Sequence, residues 1–211
     1  MFYTVIHSSI YIPTLSTYIN ITMDYSKVIA IEVDIDIDYG ILRQEFISIV
    51  DSQWNHHSSY LSGYNHVTYK SLFLTKNDFG VFDDFKIAKT IPHSEWYWDD
   101  DINMPYTKKV INSLPAKSIG IVRIMVTNGI LPLHTDCNST TPTDYTYSLG
   151  LSISPVHSDK LQIGSTFIPY KALFFNDSIP HGFLSSSDIQ MSIRIFGDFE
   201  YDKFNIKRIH A

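Results

Sequence analysis

Cysteine is almost absent from this sequence, which has only Cys137 among its 211 residues. A single thiol excludes a disulfide framework within the chain, and it also excludes a zinc site built mainly of cysteines. So little cysteine is typical of proteins in reducing compartments. We therefore expect a cytoplasmic protein, or one in the host cytoplasm if the source is a virus.

Basic side chains are also few. The chain has 16 Lys and Arg against 22 Asp and Glu, a formal net charge of −6 and no run rich in Lys or Arg. This balance argues against a nucleic-acid partner, because nucleic-acid surfaces need clustered positive charge. Arginine occurs only as Arg43, Arg123, Arg194 and Arg208, so a pocket that binds an anion has few arginines to use.

Charged residues of both signs are missing from residues 1–22. The stretch lacks the basic start of a secretory signal, and Pro13 with several Ser, Thr and Asn residues interrupts its apolar residues. It is also too polar to span a bilayer, so we expect no membrane partner. We predict an N-terminal extension at 1–22, either an accessory strand or an over-long translation start, and a single domain at 23–211.

The first half of that domain shows both strand and helix patterns. Apolar and acidic residues alternate over 28–38, which predicts a half-buried strand, and apolar residues at helical spacing predict a helix over 41–52. The polar stretch 52–63 is typical of a loop, and 68–74 is typical of a strand. A proline in a favourable first-turn position predicts a helix over 105–114.

Short apolar runs separated by turns dominate the second half. They span 120–126, 147–153, 160–163, 165–168, 172–175 and 189–196. Short strands at such regular spacing indicate a sandwich or a barrel. We predict a mainly β fold with flanking helices, a double-stranded β-helix of the cupin-like jelly-roll type, with the helices packed against one sheet.

Two histidines and an aspartate form the pattern that carries chemistry. His134 and Asp136 are two positions apart, so in extended backbone they point to the same face. His181 follows 47 positions later, after a turn. Two imidazoles and one carboxylate make the facial triad of non-heme iron, which leaves room for a bidentate 2-oxo acid and for O₂. The competing interpretation is a surface loop with incidental polar residues.

A 2-oxo diacid also needs a cation for its distal carboxylate, and arginine binds carboxylates in bidentate fashion. Arg194 lies on the apolar strand pattern after His181, with Ser192 on the same face. Arg123 is the reserve candidate, either for the co-substrate or for a substrate carboxylate. The competing interpretation of Arg194 is a strand arginine paired with Asp198 or Asp188.

The sequence resembles the aspartyl/asparaginyl β-hydroxylase family, which includes the bacterial proline hydroxylases. The matching segments are SGYNHVTYKSLFL (62–74), PYTKKVINSL (105–114), IGIVRIMV (119–126), LPLHTD (131–136), ALFFNDSIPHG (172–182) and MSIRIFGDF (191–199). The family places its co-substrate arginine about ten residues after the distal histidine, near Met191 or Ser192, whereas Arg194 lies further along the strand.

The resemblance implies a double-stranded β-helix with His134, Asp136 and His181 as ligands of Fe(II). It also implies 2-oxoglutarate and O₂ as co-substrates, with release of succinate and CO₂. The expected substrate is an amino-acid side chain of the Asp, Asn or Pro type, free or within a protein. Two alternatives remain open at this point: a cupin-like binding or structural module without catalysis, and a dioxygenase that acts on a nucleobase.

Overall fold

The computed structural model describes residues 28–59, 67–80, 88–128, 131–135, 147–153, 160–184 and 189–211. The predicted N-terminal extension at 1–22 lies outside these ranges, as do Asp136, Cys137 and Asp188. The predictions that concern them therefore stay predictions.

Most of the described chain is β-strand. The strands are β1 (Ala30–Asp34), β2 (Asn55–Ser59), β3 (Val67–Phe73), β4 (Thr75–Lys76), β5 (Tyr97–Trp98), β6 (Ala116–Asn128), β7 (Leu131–His134), β8 (Tyr147–Ser152), β9 (Lys160–Ile163), β10 (Thr166–Pro169), β11 (Ala172–Asn176), β12 (His181–Leu184), β13 (Ile189–Phe199) and β14 (Asn205–His210). They form an eight-stranded sheet in the order β14-β1-β11-β8-β13-β6-β3-β2 and a four-stranded sheet in the order β10-β9-β12-β7. The short strands β4 and β5 pair separately.

The chain moves back and forth between the two larger sheets. Strands β6, β8, β11 and β13 lie in the eight-stranded sheet, whereas β7, β9, β10 and β12 lie in the four-stranded sheet. The pairings between these strands are antiparallel. The consecutive strands β6 and β7, and likewise β12 and β13, therefore belong to different sheets.

Two α-helices lie in the described ranges, α1 (Tyr39–Ser48) and α2 (Pro105–Asn112). Asp38 caps α1 by accepting hydrogen bonds from the backbone of its first turn. Glu45 of α1 accepts hydrogen bonds from the backbone N–H groups of Tyr106 and Thr107, at 2.7 and 2.8 Å. The Glu45 carboxylate thus lies at the N-terminal end of α2, where the helix dipole is positive, and this contact holds the two helices together. Neither helix is long and apolar enough to cross a membrane.

Alternate residues of the large sheet serve two different cores. Phe174 and Ile193 pack on the side of the helices, together with Leu42 of α1. Leu173 and Phe175 point the other way, into the space between the two sheets, where they meet residues of the four-stranded sheet. This two-residue period is the one that a strand imposes on its side chains, and it puts Arg194 on the inner face, next to Phe175.

The sequence predicted most of these elements, with three differences. The observed first strand is shorter than the predicted one, because β1 ends at Asp34 and Asp38 is the N-terminal cap of α1. Part of the predicted loop 52–63 is wrong, because Asn55–Ser59 is edge strand β2, paired with β3. The runs predicted as strands also left out β4, β5, β7, β12 and β14. Of the strands missed, β2 and β14 are mostly polar and lie at sheet edges, where backbone pairing does not require an apolar pattern.

Candidate metal centre

His134 and His181 lie opposite each other in neighbouring strands. His134 is the last residue of β7, His181 is the first residue of β12, and the two are register partners in the antiparallel pair. Their ring centroids are 4.7 Å apart. Two residues that are 47 positions apart in sequence therefore meet at the same end of the four-stranded sheet.

Both imidazoles are oriented in the same way. Nδ1 of His134 lies 2.9 Å from the carbonyl oxygen of Pro132, and Nδ1 of His181 lies 2.9 Å from that of Ile179. A carbonyl oxygen only accepts hydrogen bonds, so each Nδ1 carries a hydrogen. In a neutral ring, Nε2 then carries the lone pair. Backbone contacts of this kind fix the tautomer of metal-binding histidines.

The environment of the two rings differs. His181 is fully buried, with Phe175 edge-on at a centroid distance of 5.2 Å, whereas His134 is partly exposed. Divalent transition metals bind imidazole nitrogen at about 2.1 Å, so one ion needs the two nitrogens within about 4.2 Å of each other. The opposed rings are compatible with that requirement, and the donor set fits an iron or zinc ion with one buried and one accessible ligand.

The third predicted ligand, Asp136, lies outside the described residues. It comes two positions after His134, with Thr135 the last described residue before it. Among the residues that the structure describes, no three His, Cys, Asp or Glu side chains are grouped to hold a metal. The structure therefore brings two of the three predicted ligands together.

Gly182 lets the two histidine strands approach closely. A Cβ atom at this position would lie 2.6 Å from the carbonyl oxygen of Leu131 and 2.9 Å from the carbonyl carbon of Pro132. Both atoms belong to the backbone of β7, which cannot move aside as a flexible side chain would. The glycine after His181 thus contributes directly to the pairing that places the two imidazoles.

A buried charge cluster lies behind Phe175. The guanidinium carbon of Arg194 is 4.2 Å from the centroid of the Phe175 ring, and its Nη2 donates to Ser148 Oγ at 2.7 Å. Asp177 lies 3.6 Å from the same Nη2 and 2.6 Å from Nζ of Lys89. The cations and the carboxylate are each no more than 5% exposed. The Phe175 ring therefore contacts both the buried arginine and His181.

The other predicted co-substrate residues share the inner face. Arg123 is the register partner of Arg194, and its Nη2 lies 3.2 Å from Ser71 Oγ. Ser192 is 2% exposed and lies opposite Ser152 in the adjacent strand. The structure thus places the three predicted residues, Arg123, Ser192 and Arg194, on one side of one sheet.

The competing pairing of Arg194 with Asp198 is wrong. Asp198 instead accepts a hydrogen bond from Ser118 at 2.6 Å and contacts His93 Nδ1 at 3.1 Å. Asp198 comes four positions after Arg194, about 13 Å along an extended strand, so it lies beyond the reach of the Arg194 guanidinium. The acid beside Arg194 is Asp177, which precedes the distal histidine by four positions.

Sequence reasoning missed four polar residues of this region: Lys89, Ser148, Asp177 and Gln190. Gln190 is 1% exposed, and neither atom of its amide has a hydrogen-bond partner among the described residues. A signal for Gln190 exists in the strand itself, because polar residues at 190, 192 and 194 alternate with apolar ones. Lys89 gives no such signal, since its position depends on a contact with a residue 88 positions away.

Comparison with known proteins finds a remote structural likeness. No family model matches this chain, and no curated protein matches it. Among solved structures, it is similar to the crystal structure of an oxidoreductase of the 2OG-Fe(II) oxygenase family from Burkholderia pseudomallei. The two share 10% sequence identity with a TM-score of 0.49, over 81% of this chain and 82% of that one. A likeness this remote does not show what the chain does.

Proposed function

We propose that this protein is an Fe(II)- and 2-oxoglutarate-dependent dioxygenase. The observation that carries the proposal is the opposed pair His134 and His181, each with Nδ1 held by a backbone carbonyl and Nε2 presented as a ligand. Asp136, two positions after His134, would complete a facial triad. Bound Fe(II) would supply the redox chemistry of O₂ activation, coupled to decarboxylation of 2-oxoglutarate to succinate.

The strand connections support a double-stranded β-helix around this centre. From β6 to β13 each sheet receives four strands, and only β9 and β10 follow each other within one sheet. The two sheets face each other across the inner core. Jelly-roll folds of this kind leave a cavity between their sheets. In this arrangement the histidines lie at one end of the small sheet and Arg194 lies across from them on the large sheet.

The co-substrate's distal carboxylate would bind at the buried cationic cluster. Arg194 and Lys89 bring two positive charges to a place where the described residues supply one carboxylate, Asp177. A buried anion is stable only where cations and hydrogen-bond donors surround it. Ser148 adds a hydroxyl, and Phe175 contacts both Arg194 and His181, so its ring lines the space from the cluster to the centre.

The proposed substrate class is an amino-acid side chain of the Asp, Asn or Pro type, free or in a protein. It follows from the resemblance of the sequence to the β-hydroxylases and proline hydroxylases. Within that proposal, the partly exposed His134 marks the side from which a substrate reaches the centre, because His181 is closed off by the core. Arg123 lies on the same inner face and is a candidate for a substrate carboxylate.

The test is turnover of 2-oxoglutarate by the purified protein with Fe(II), ascorbate and O₂. Succinate should form, at a slow rate if no substrate is added, and His134→Ala or His181→Ala should reduce it to background. His210→Ala is the matched control, because His210 is bound to Glu32 at the far edge of the large sheet. Succinate formation that persists in His181→Ala would overturn the proposal.

One contact favours a second candidate, a binding module without catalysis. Asp177 already lies within 3.6 Å of Arg194, so the arginine can serve the fold alone. Calorimetry with Mn(II) in place of iron separates the two candidates. Binding of 2-oxoglutarate that requires both Mn(II) and His134 supports the enzyme, and absence of any 2-oxoglutarate binding supports the module.

A further inference from the structure

A cavity lies at the end of the sandwich opposite the histidine pair. It has a volume of about 240 Å³ and is lined by residues of β1, α1, β8, β11 and β14 and by the segment 169–171, among them Tyr39, Arg43, Ser152 and Lys171. Ser152 and Ser148 belong to the same strand, and four residues of strand span about 13 Å. The cavity is therefore separate from the Arg194 cluster, which contacts Ser148.

Positive charge exceeds negative charge on the cavity wall. Of the other charged wall residues, Lys207 pairs with Asp34 at 2.9 Å, and Glu32 contacts His210 at 2.6 Å. Arg43 and Lys171 have no carboxylate within ion-pair distance anywhere in the described ranges. Their two charges are thus the surplus that an anion would balance.

The two surplus cations are held in place by neighbours. Nε of Arg43 donates to the carbonyl oxygen of Ile153 at 3.2 Å, which orients the guanidinium. Nζ of Lys171 lies 5.2 Å from the centroid of the Tyr39 ring. A cation over an aromatic face is attracted to the ring, so the ammonium group stays near the phenol.

The phenol of Tyr39 supplies an unused donor. Its hydroxyl oxygen is buried and has no hydrogen-bond partner among the described residues. Burial, together with the charge of Asp34, raises the pKa of Tyr39 to about 12, so the group keeps its proton. A buried hydroxyl without a partner is unfavourable, and an acceptor in the cavity would satisfy it.

From this arrangement we propose that the cavity between α1 and the start of β11 binds a small oxyanion, a phosphate or a carboxylate group. Arg43 and Lys171 supply charge-assisted hydrogen bonds and Tyr39 supplies a neutral one. The volume suits an anion of a few heavy atoms, and a ligand that carries such a group would extend through the open side. The site does not depend on the histidine centre or on the proposed activity.

Calorimetric titration of the full chain with inorganic phosphate, and separately with acetate, tests the site. Saturable binding should occur with at least one of them, and the two arms distinguish a phosphoryl from a carboxylate ligand. Lys171→Gln and Arg43→Gln should each weaken binding by about tenfold, the value of one charge-assisted hydrogen bond. Tyr39→Phe should weaken it by a few fold, since it removes only the hydroxyl.

The controls separate this site from the rest of the molecule. Lys109→Gln removes an exposed lysine of α2 that does not line the cavity, and it should leave binding unchanged. His134→Ala and Arg194→Gln should also leave it unchanged, so the outcome is independent of the proposed dioxygenase. Lys171 is exposed, and its variant should fold with the native circular dichroism spectrum. Binding that is absent up to tens of millimolar, or that survives both cation variants, overturns the proposal.

Discussion

Arg123 and Arg194 lie directly opposite each other in the antiparallel strands β6 and β13, on the face that points to the four-stranded sheet. Like charges at opposed positions of a sheet repel each other. Arg194 is 4% exposed and Arg123 is only partly buried, so little water screens the pair. An anionic ligand next to this pair would relieve the repulsion, so the proposed binding of 2-oxoglutarate should depend on both residues.

The two arginines should differ in their effect on 2-oxoglutarate. Arg194→Gln should weaken its binding by about 100-fold, as expected when one partner of a buried charge pair is lost. Arg123→Gln should weaken it by no more than about tenfold, because Arg123 lies further from the buried cluster. Calorimetry in the presence of Mn(II) measures both. A larger loss in Arg123→Gln would reverse the assigned roles.

Gly182→Ala should disrupt the metal centre without touching a ligand. The added methyl group would meet the backbone of β7 at 2.6 Å, so β7 and β12 have to separate and the two imidazoles move apart. We expect Mn(II) affinity to fall by about 10- to 100-fold, as for other changes around a metal's ligands. Gly40→Ala, at the start of α1, is the comparison, because its added methyl group would meet only the side chain of Asp38. Native Mn(II) affinity in Gly182→Ala would show that the strands tolerate the change.

Lys89→Met should destabilise the protein more than removal of a surface lysine. Lys89 and Asp177 are 5% and 2% exposed and lie 2.6 Å apart. Loss of one partner of a buried pair costs about 3 kcal/mol of unfolding free energy. Lys203→Met breaks the exposed contact with Glu200 and should cost much less, because solvent screens that pair. Urea unfolding measures both, and equal costs would argue against a buried charge pair.

Gln190→Met should stabilise the protein that has no ligand bound. The buried amide has no partner for its nitrogen or its oxygen, and methionine fills a similar volume without polar atoms. The gain should be about 1 kcal/mol, the cost of one unsatisfied amide. Gln190 lies four residues from Arg194, about 13 Å along the strand, so 2-oxoglutarate affinity should not change. A loss of stability would mean that the amide has a polar partner in solution.

His93 should make stability depend on pH. Burial lowers the pKa of His93 below its ordinary value of 6.5, and the nearby Asp198 only partly offsets this effect. Between the lowered value and 6.5 the unfolded chain binds more protons than the folded one, so stability falls as the pH falls through this window. His93→Gln should show a smaller loss of unfolding free energy between about pH 7.5 and 5.5. Identical slopes for the two proteins would contradict the assignment.

Local patterns in the sequence were sufficient for the strands and helices that bury an apolar face. The run Lys160–Ile163 is a strand with the bounds that its residues predict, and the helix begins at Pro105 because proline suits a first turn. The edge strands β2 and β14 were not predicted, because most of their residues are polar and only the pairing with a neighbouring strand makes them strands.

The sequence alone determined the residue types and the faces on which they lie, because side-chain alternation follows from the two-residue period of a strand. It could identify His134, Asp136 and His181 as candidate ligands and place Ser192 and Arg194 on one face. Only the tertiary structure decided which strands are neighbours, since hydrogen bonds between strands join residues at any separation along the chain. That decision set His134 opposite His181 and brought Lys89 to Asp177, 88 positions away.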